Sequence, residues 1–389
     1  MFKNFHFRLK YINFRLLFLV IVLTVIGIIV IGSAVPGAGY QSKQIFGLAI
    51  SLVLMTIFAL IDYNWILKFY WVIYGVCNLF LLAVLKFGKS VNGATRWIAI
   101  TDSIRVQPSE FAKIMMILFW AGFIGKNPSM LKKWKNFFIV LAISAVPLLL
   151  IVKEPDLSST ILFVGLFVVT LFIAGFSYKK FGIILAIIVP ILAGLIIYIQ
   201  AVPPPANKII RKYQYERIMA YLNPDEYDAG RYQQDNSVMA IGSGQLTGKG
   251  LYNNDADSVK NGNYIIEPQT DFIMAIIGED LGFAGALVIL TFLILIMIEC
   301  VITGARAPDM PGRLICFGMA AIIVFQTFIN VGVATELLPN TGIPLPFVSY
   351  GLSSLVTMYA GIGLVLNVRI RKKMSLDSAE GKINLNFQS

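Results

Sequence analysis

Residues 16–35, LLFLVIVLTVIGIIVIGSAV, contain no charged side chain and decide the class of fold. The hydrocarbon core of a bilayer is crossed by a helix of about 20 apolar residues, with a range of roughly 17–25. The stretch has no small-residue cleavage site and is too long for the core of a signal peptide. We therefore interpret it as a retained transmembrane helix.

Apolar stretches of this kind recur along the chain of 389 residues, which is 57% hydrophobic and only 14% charged. Soluble domains contain about 25% charged residues, so this composition excludes one or two soluble domains and a disordered chain. We predict an all-α polytopic membrane protein with about ten transmembrane helices. The predicted spans are 16–35, 45–61, 66–85, 109–125, 137–152, 158–175, 181–199, 281–299, 314–334 and 348–367.

Lysine and arginine predict how the chain is oriented in the membrane. If the N-terminus is cytoplasmic, the termini and inner loops contain 18 of these residues and the short outer loops contain 6. Cytoplasmic loops are enriched in Lys and Arg, so both termini are predicted to be cytoplasmic. Residues 200–270 then form one long extracytoplasmic loop. Residues 1–373 are predicted to be a single membrane domain, and residues 374–389 a disordered cytoplasmic tail.

Charge and composition also exclude several function classes. The net charge of +11 comes from basic clusters beside the predicted helices, which favour contact with anionic lipid rather than nucleic acid. The three cysteines lie in apolar stretches without CxxC spacing, and the single histidine is His6. A disulfide framework, a zinc–thiolate site, a Ser-His-Asp or Cys-His mechanism and a multi-His metal site are therefore excluded. An enzyme of this sequence must use carboxylates and cations.

Three carboxylates near the predicted outer ends of helices are candidates for that chemistry. Asp271, in PQTDFIMA at 268–275, is placed where an outer aqueous cleft meets lipid, a setting suited to a general base. Glu110 pairs with Lys113 at i,i+3 in QPSEFAK at 107–113, and ionisable residues at the edge of the bilayer are functional candidates. Asp156, in EPDLSST at 154–160, is equally explained as a helix N-cap.

Two segments rich in glycine or proline predict irregular backbone. GSGQLTGKG at 242–250 fails the spacing of a phosphate-binding P-loop, so we interpret it as a tight turn whose backbone amides contact a substrate phosphate. LPNTGIPLPFVSYGLSS at 338–354 cannot form a plain helix. Non-helical backbone at membrane depth is tolerated only inside protein or beside a cavity, which predicts a re-entrant segment next to a cleft before the last helix.

Taken together, these motifs resemble the SEDS family (shape, elongation, division and sporulation). The matching residues are NGATRWI at 92–98, QPSEFAK at 107–113, EPDL at 154–157, YQ at 232–233, AIGSG at 240–244, GKG at 248–250, TDFI at 270–273 and GIPLPFVSYG at 342–351. Gln245 and Leu352 stand where the family usually has glycine. EPDL and GKG look more like the RodA branch than the FtsW branch.

The resemblance implies a peptidoglycan glycosyltransferase that polymerises lipid II at the outer face of the cytoplasmic membrane, for cell elongation and shape. Asp271 matches the proposed catalytic carboxylate of the family. The polyprenyl diphosphate leaving group needs cations, from side chains or from a divalent metal. The candidate substrate-binding residues are Arg96, Trp97, Glu110, Lys113, Asp156, Arg217, Gln233, Lys249 and Ser349. The implied partner is a membrane-anchored class B penicillin-binding protein.

Other functions remain open from the sequence. A lipid II flippase would also use intramembrane charges and broken helices, although its polar residues should extend through the midplane. A scaffold that only recruits other cell-wall proteins would not depend on any single carboxylate. Within the family, the division (FtsW-like) and sporulation (SpoVE-like) paralogues are alternatives to the elongation enzyme.

Overall fold

The computed structural model describes residues 11–91, 94–99, 105–154, 156–203, 212–223, 228–253, 258–262 and 264–386. Within these ranges the backbone alone is described at 89–91, 94, 95, 157, 192, 212–214, 217, 228–230 and 373–386. The helices are α1 (Phe14–Ala34), α2 (Tyr40–Leu60), α3 (Tyr63–Ile66), α4 (Tyr70–Phe87), α5 (Pro108–Phe123), α6 (Trp134–Lys153), α7 (Leu157–Ile173), α8 (Tyr178–Ala201), α9 (Lys212–Leu222), α10 (Asp228–Ser243), α11 (Ile273–Ala305), α12 (Met310–Ala334) and α13 (Leu352–Asn386).

The predicted polytopic helical fold is confirmed, with two helices shorter than expected. Among the described residues, eight helices are long and apolar enough to cross a membrane: α1, α2, α3 with α4, α6, α8, α11, α12 and the first part of α13. The other two, α5 and α7, have 16 and 17 residues. At 1.5 Å per residue they are about 24–26 Å long, shorter than a hydrocarbon core of roughly 30 Å. Most of α5 is buried inside the bundle.

Polar contacts gather the helix ends into two groups at opposite ends of the bundle. At the first, which we call the basic end, Glu299 of α11 accepts a 2.8 Å hydrogen bond from Asn13 and lies 3.1 Å from Arg15 and 3.6 Å from Arg369. The second, the polar end, contains the other terminus of α1 and the beginning of α11. Helices α1 and α11 therefore run in opposite directions.

The proline-rich segment enters the bundle as non-helical backbone, as the sequence predicts. Residues 335–351 contain no helix, and most of the apolar side chains among them are buried. The backbone of Val348 lies so close to Gly27 that a Cβ on this glycine would be 2.7 Å from it. Gly27 is seven residues from the end of α1, a depth of about 10 Å. Close packing against a glycine thus allows the segment to reach into the helical layer.

The described parts of the long predicted loop are folded against the polar end. The loop contributes α9 and α10, and α10 is fixed to the end of α12 by side chains that reach backbone carbonyls. Gln234 donates to the carbonyls of Val333 and Leu338, both at 2.9 Å, and Ser237 donates to Ala334 at 2.8 Å. These hydrogen bonds hold the loop against the proline-rich segment.

Two features differ from the sequence prediction. A small antiparallel sheet, β1 (Lys89–Val91), β2 (Ala94–Ala99) and β3 (Arg105–Val106), lies between α4 and α5. The sequence there contains Asn-Gly at 92–93, a strong hairpin signal, followed by residues of high strand propensity. The second difference is the tail, since α13 continues to Asn386 where a disordered segment was predicted.

Candidate active site

Asp271 lies in a turn that is anchored on the proline-rich segment. The Ser349 hydroxyl donates to the carbonyl of Thr270 at 2.7 Å. Asn330 of α12 donates to the carbonyls of Asp271 and Ile343, both at 2.8 Å, and so joins the turn to the segment. Fixed backbone on both sides of the carboxylate gives it a defined position at the start of α11.

The side chain of Asp271 rests against a glycine. Gly342 has a φ of +74°, and a Cβ built on it would lie 3.0 Å from Oδ2 of Asp271. Glycine is therefore required twice, for its backbone conformation and for the space beside the carboxylate. Asp271 itself is half-buried, so the carboxylate lies at the boundary between protein and solvent. The sequence predicts such a partly solvated position for this carboxylate.

A cleft of about 320 Å³ opens beside the Asp271 turn. Its polar and aromatic lining residues include Lys43, Trp97, Arg105, Glu267, Gln269 and Thr270. Trp97 was predicted, whereas the two cations were not. Lys43 is held over the ring of Tyr40, 5.9 Å from its centroid. The cleft thus brings together two cations, an aromatic ring and the turn that carries Asp271.

Asp156 is a helix cap and also faces a cation. Its carboxylate accepts hydrogen bonds from the Ser159 amide at 3.0 Å and the Ser159 hydroxyl at 2.7 Å. Arg96, on β2, lies 3.7 Å from the same carboxylate, and Gln107 donates to it at 3.5 Å. The capping explanation is therefore correct, and it leaves Asp156 in contact with a second predicted site residue.

Glu154 is a buried acid that sequence reasoning did not single out. Its side chain is fully buried, and neither carboxylate oxygen has a hydrogen-bond partner within the part of the chain that the structure describes. Burial raises the pKa of Glu154 to about 8, with a further increase from Asp156 and an opposing effect from Arg96. It therefore holds a proton at neutral pH. The only signal in the sequence was a second acid two residues before Asp156.

The proline-rich segment connects these groups. The Ser158 hydroxyl, just after the Asp156 cap, donates to the carbonyl of Thr341. The next residue is Gly342, which contacts Asp271. On the same segment Asn340 donates to the side chain of Gln233 at 3.4 Å. The proline-rich segment therefore contains one predicted site residue, Ser349, and lies next to three others: Asp156, Gln233 and Asp271.

The predicted pair of Glu110 and Lys113 is confirmed as a buried ion pair. Their side chains are 5% and 2% exposed and approach to 2.7 Å. Oε2 of Glu110 and the hydroxyl of Ser109 have no hydrogen-bond partner among the described residues. Helix α5 connects the pair to the site, because the backbone amide of Gln107, just before α5, donates to the hydroxyl of Ser353 at the start of α13.

Lys249 and the glycine-rich turn are used differently from the prediction. Lys249 lies 2.8 Å from Glu279 in a partly exposed ion pair. The amides of Gly248, Lys249 and Gly250 donate to the carbonyls of Gly244, Glu279 and Asp280. The prediction that these amides contact a substrate phosphate is therefore wrong, because protein carbonyls already use them.

The remaining predicted residues stay predictions. The Ser349 hydroxyl donates to Thr270 and accepts from the Leu345 amide, so it holds the turn. Arg217 lies on α9, with its side chain outside the described residues. Among the residues that the structure describes, no group of three His, Cys, Asp or Glu side chains could hold a metal ion. A divalent cation that accompanies the substrate remains a prediction.

Comparison with known proteins covers almost the whole chain. A family profile described as "Cell cycle protein", for FtsW, RodA and SpoVE, matches residues 12–374. The chain belongs to this family. It is the SEDS family that the motifs resemble, so that prediction is confirmed.

Relatives from different branches of the SEDS family are similarly close. The chain is 33% identical over 366 residues to the peptidoglycan glycosyltransferase MrdB of Escherichia coli, covering 92% of this chain and 94% of MrdB. It is 34% identical over 334 residues to stage V sporulation protein E of Bacillus subtilis, covering 85% and 86%. It is 32% identical over 368 residues to a probable peptidoglycan glycosyltransferase FtsW of Acinetobacter baylyi, covering 91% and 88%.

Solved structures share the fold. A chain from a peptidoglycan synthase complex aligns with a TM-score of 0.74 at 25% identity, covering 93% of this chain and 98% of that one. The crystal structure of RodA from Thermus thermophilus aligns with a TM-score of 0.65 at 25% identity, covering 92% and 96%. The all-α polytopic SEDS fold therefore extends over nearly the whole molecule.

Proposed function

We propose that this SEDS protein is a peptidoglycan glycosyltransferase that polymerises lipid II at the outer face of the cytoplasmic membrane. Family membership and the activity named for its relatives support the reaction class. The observation that carries the proposal is local: the half-buried carboxylate of Asp271 lies against Gly342, and the residues just before it, Gln269 and Thr270, line a cleft with Lys43 and Arg105. A base and two cations are what this transfer requires.

The chemistry follows from these groups. The carboxylate of Asp271 accepts the proton of a sugar hydroxyl on one lipid II molecule as that oxygen attacks the anomeric carbon of another glycan. The new glycosidic bond forms as the bond to the polyprenyl diphosphate breaks, and the electron pair leaves with the diphosphate. Lys43 and Arg105 stabilise the charge on this leaving group. Arginine suits a diphosphate because it can form two parallel hydrogen bonds.

The proposed orientation in the membrane supports a reaction at the outer face. The basic end, which contains Arg15 and Arg369, is proposed to be cytoplasmic because Lys and Arg are enriched in cytoplasmic loops. The ion pairs in the described residues lie at the two ends rather than along the midplane, which favours a reaction at the membrane surface over transport.

Labelling of cysteines tests this orientation. In intact cells, a membrane-impermeant maleimide should modify Asn261→Cys, at the polar end, and spare Ser129→Cys, at the basic end. The three native cysteines are buried, so their background should be low. The reverse pattern would place Asp271 in the cytoplasm and remove the proposed reaction.

A class B penicillin-binding protein is the proposed partner. Supporting this, the chain aligns with a component of a peptidoglycan synthase complex that coordinates polymerization and crosslinking. We further propose the elongation role from the RodA-like EPDL and GKG motifs, since the identities to the three named relatives do not separate the branches.

The reaction itself is tested with the purified full-length chain in lipid nanodiscs and lipid II as the only substrate. Glycan strands resolved on a gel are the expected product. Absence of strands with the chain alone and with a co-purified class B penicillin-binding protein would contradict the proposed function.

A further inference from the structure

Helix α11 is divided near its beginning. Gly282 has a φ of 67° and a ψ of −169°, a conformation that is essentially confined to glycine. The kink separates a short segment, residues 273–281, from the long span that follows. Residues 273–280 are buried without exception. The short segment, about 12 Å long, is thus a rod with Asp271 just before one end and the kink at the other.

The kinked end of this rod is paired with the glycine-rich turn in both directions. Lys249 and Gly250 donate their amides to the carbonyls of Glu279 and Asp280 at 2.8 and 2.9 Å. The amides of residues 283–284 return hydrogen bonds of 2.8 and 3.0 Å to the turn. The carbonyls at the end of a helix have no partner within it, so the turn satisfies groups that burial would otherwise leave unpaired.

A buried triad closes the same end. Lys260 lies 2.6 Å from Asp280, with side-chain exposures of 2% and 0%. Ser33, the penultimate residue of α1, donates to the second oxygen of Asp280 at 2.6 Å, and Lys260 lies 3.1 Å from the same hydroxyl. Burying an ion pair is costly, and its net contribution to stability is often small. A role in fixing one conformation explains why such a pair is present.

We propose that Ser33, Lys260 and Asp280 are positioning residues that hold Asp271 in its reactive place from the far end of the rod. The turn at Asp271 is fixed by Ser349 and Asn330, and the triad fixes the direction and rotation of the rod behind it. With both ends held, the carboxylate keeps its place against Gly342. This inference rests on the proposed role of Asp271 as the base.

The test uses the full-length chain in nanodiscs with lipid II. Lys260→Met with Asp280→Asn removes both charges, leaves no buried ion unpaired, and keeps an oxygen that can accept from Ser33. We expect kcat to fall between about tenfold and hundredfold, because a displacement of 1 Å can cost that much. The KM for lipid II should stay within about twofold. Glu299→Gln, at the other end of the same helix, is the matched control and should retain the wild-type kcat.

Each outcome has a defined meaning. A folded double variant with the wild-type kcat, or one with raised KM and unchanged kcat, overturns the proposal. If the double variant does not fold, Ser33→Ala gives the same test, with an expected fall in kcat of about threefold to tenfold at unchanged KM. A wild-type kcat there would overturn the proposal as well. Asp271→Asn is measured in parallel, because activity retained by that variant would contradict the proposed function itself.

Discussion

The two ends of helix α11 carry buried or half-buried carboxylates with opposite environments. Glu299 at the basic end is buried. It accepts one hydrogen bond and forms ion pairs with two arginines from neighbouring helices. Asp271 at the polar end is half-buried and lies against Gly342, and the turn that carries it lines a cleft. A buried carboxylate between two arginines stabilises helix packing, whereas a half-buried one next to a cleft-lining turn is placed near a substrate. The difference assigns Glu299 to the packing of helices and Asp271 to the proposed reaction.

Among changes to the residues around Asp271, the largest effect on catalysis is expected from filling the space beside its carboxylate. In Gly342→Ala the new Cβ would lie 3.0 Å from the carboxylate oxygen, so the carboxylate must move. We expect kcat to fall between about tenfold and a hundredfold, the upper value being the cost of a 1 Å displacement. Gly175→Ala is the control, since Gly175 also has a positive φ, of +85°, but a Cβ added there would meet no atom within 4 Å. Equal losses in the two variants would mean that backbone strain alone, rather than the carboxylate, is responsible.

The second test removes the cations of the cleft. Lys43→Gln and Arg105→Gln should each raise the KM for lipid II by about tenfold, because the diphosphate loses a charged donor. The effect should shrink as salt is raised, since screening weakens the remaining attraction. Lys86→Gln removes an exposed cation outside the cleft and should leave KM unchanged. If all three variants behaved alike, the cations would act through general surface charge.

The smallest expected effect concerns Glu154. Its pKa is raised to about 8 from a usual value of 4.5 by burial. The folded protein therefore retains a proton that the unfolded chain releases, and stability declines as pH rises from about 4.5 to about 8. Glu154→Gln should remove this decline, so its melting temperature should exceed that of the wild type by several degrees at pH 8.5 and by less at pH 5. If the melting temperatures of the variant and the wild type differed by the same amount at both pH values, Glu154 would not be a buried acid.

The fold was largely predictable because each apolar stretch long enough to cross a bilayer predicts one helix. Each of the ten predicted spans corresponds to a helix, and Pro108 marks the start of α5. The sheet formed by β1, β2 and β3 was missed because apolar length, the signal used for the rest of the chain, says nothing about short segments between helices. The proline-rich segment was predicted because its composition forbids a helix.

The site was predictable only in part. Asp271 was found from its place at the end of a span, and Asp156 from its motif. Lys43 and Arg105 come from separate segments of the chain and line the same cleft only in the folded protein, so no local pattern marks them. The glycine-rich turn was misread for the same reason, because the carbonyls that receive its amides belong to the kink in α11.

The roles of Asp271 and Glu299 are separated by replacing each carboxylate with its amide. Asp271→Asn and Glu299→Gln make the same chemical change at the two ends of α11, and each is purified, checked for folding and assayed for polymerisation of lipid II. We predict that Asp271→Asn binds lipid II normally and loses about 10²–10⁴ in rate, the usual contribution of a general base, while Glu299→Gln polymerises at close to the wild-type rate. Near-normal polymerisation by Asp271→Asn would contradict the assignment of Asp271 as the base.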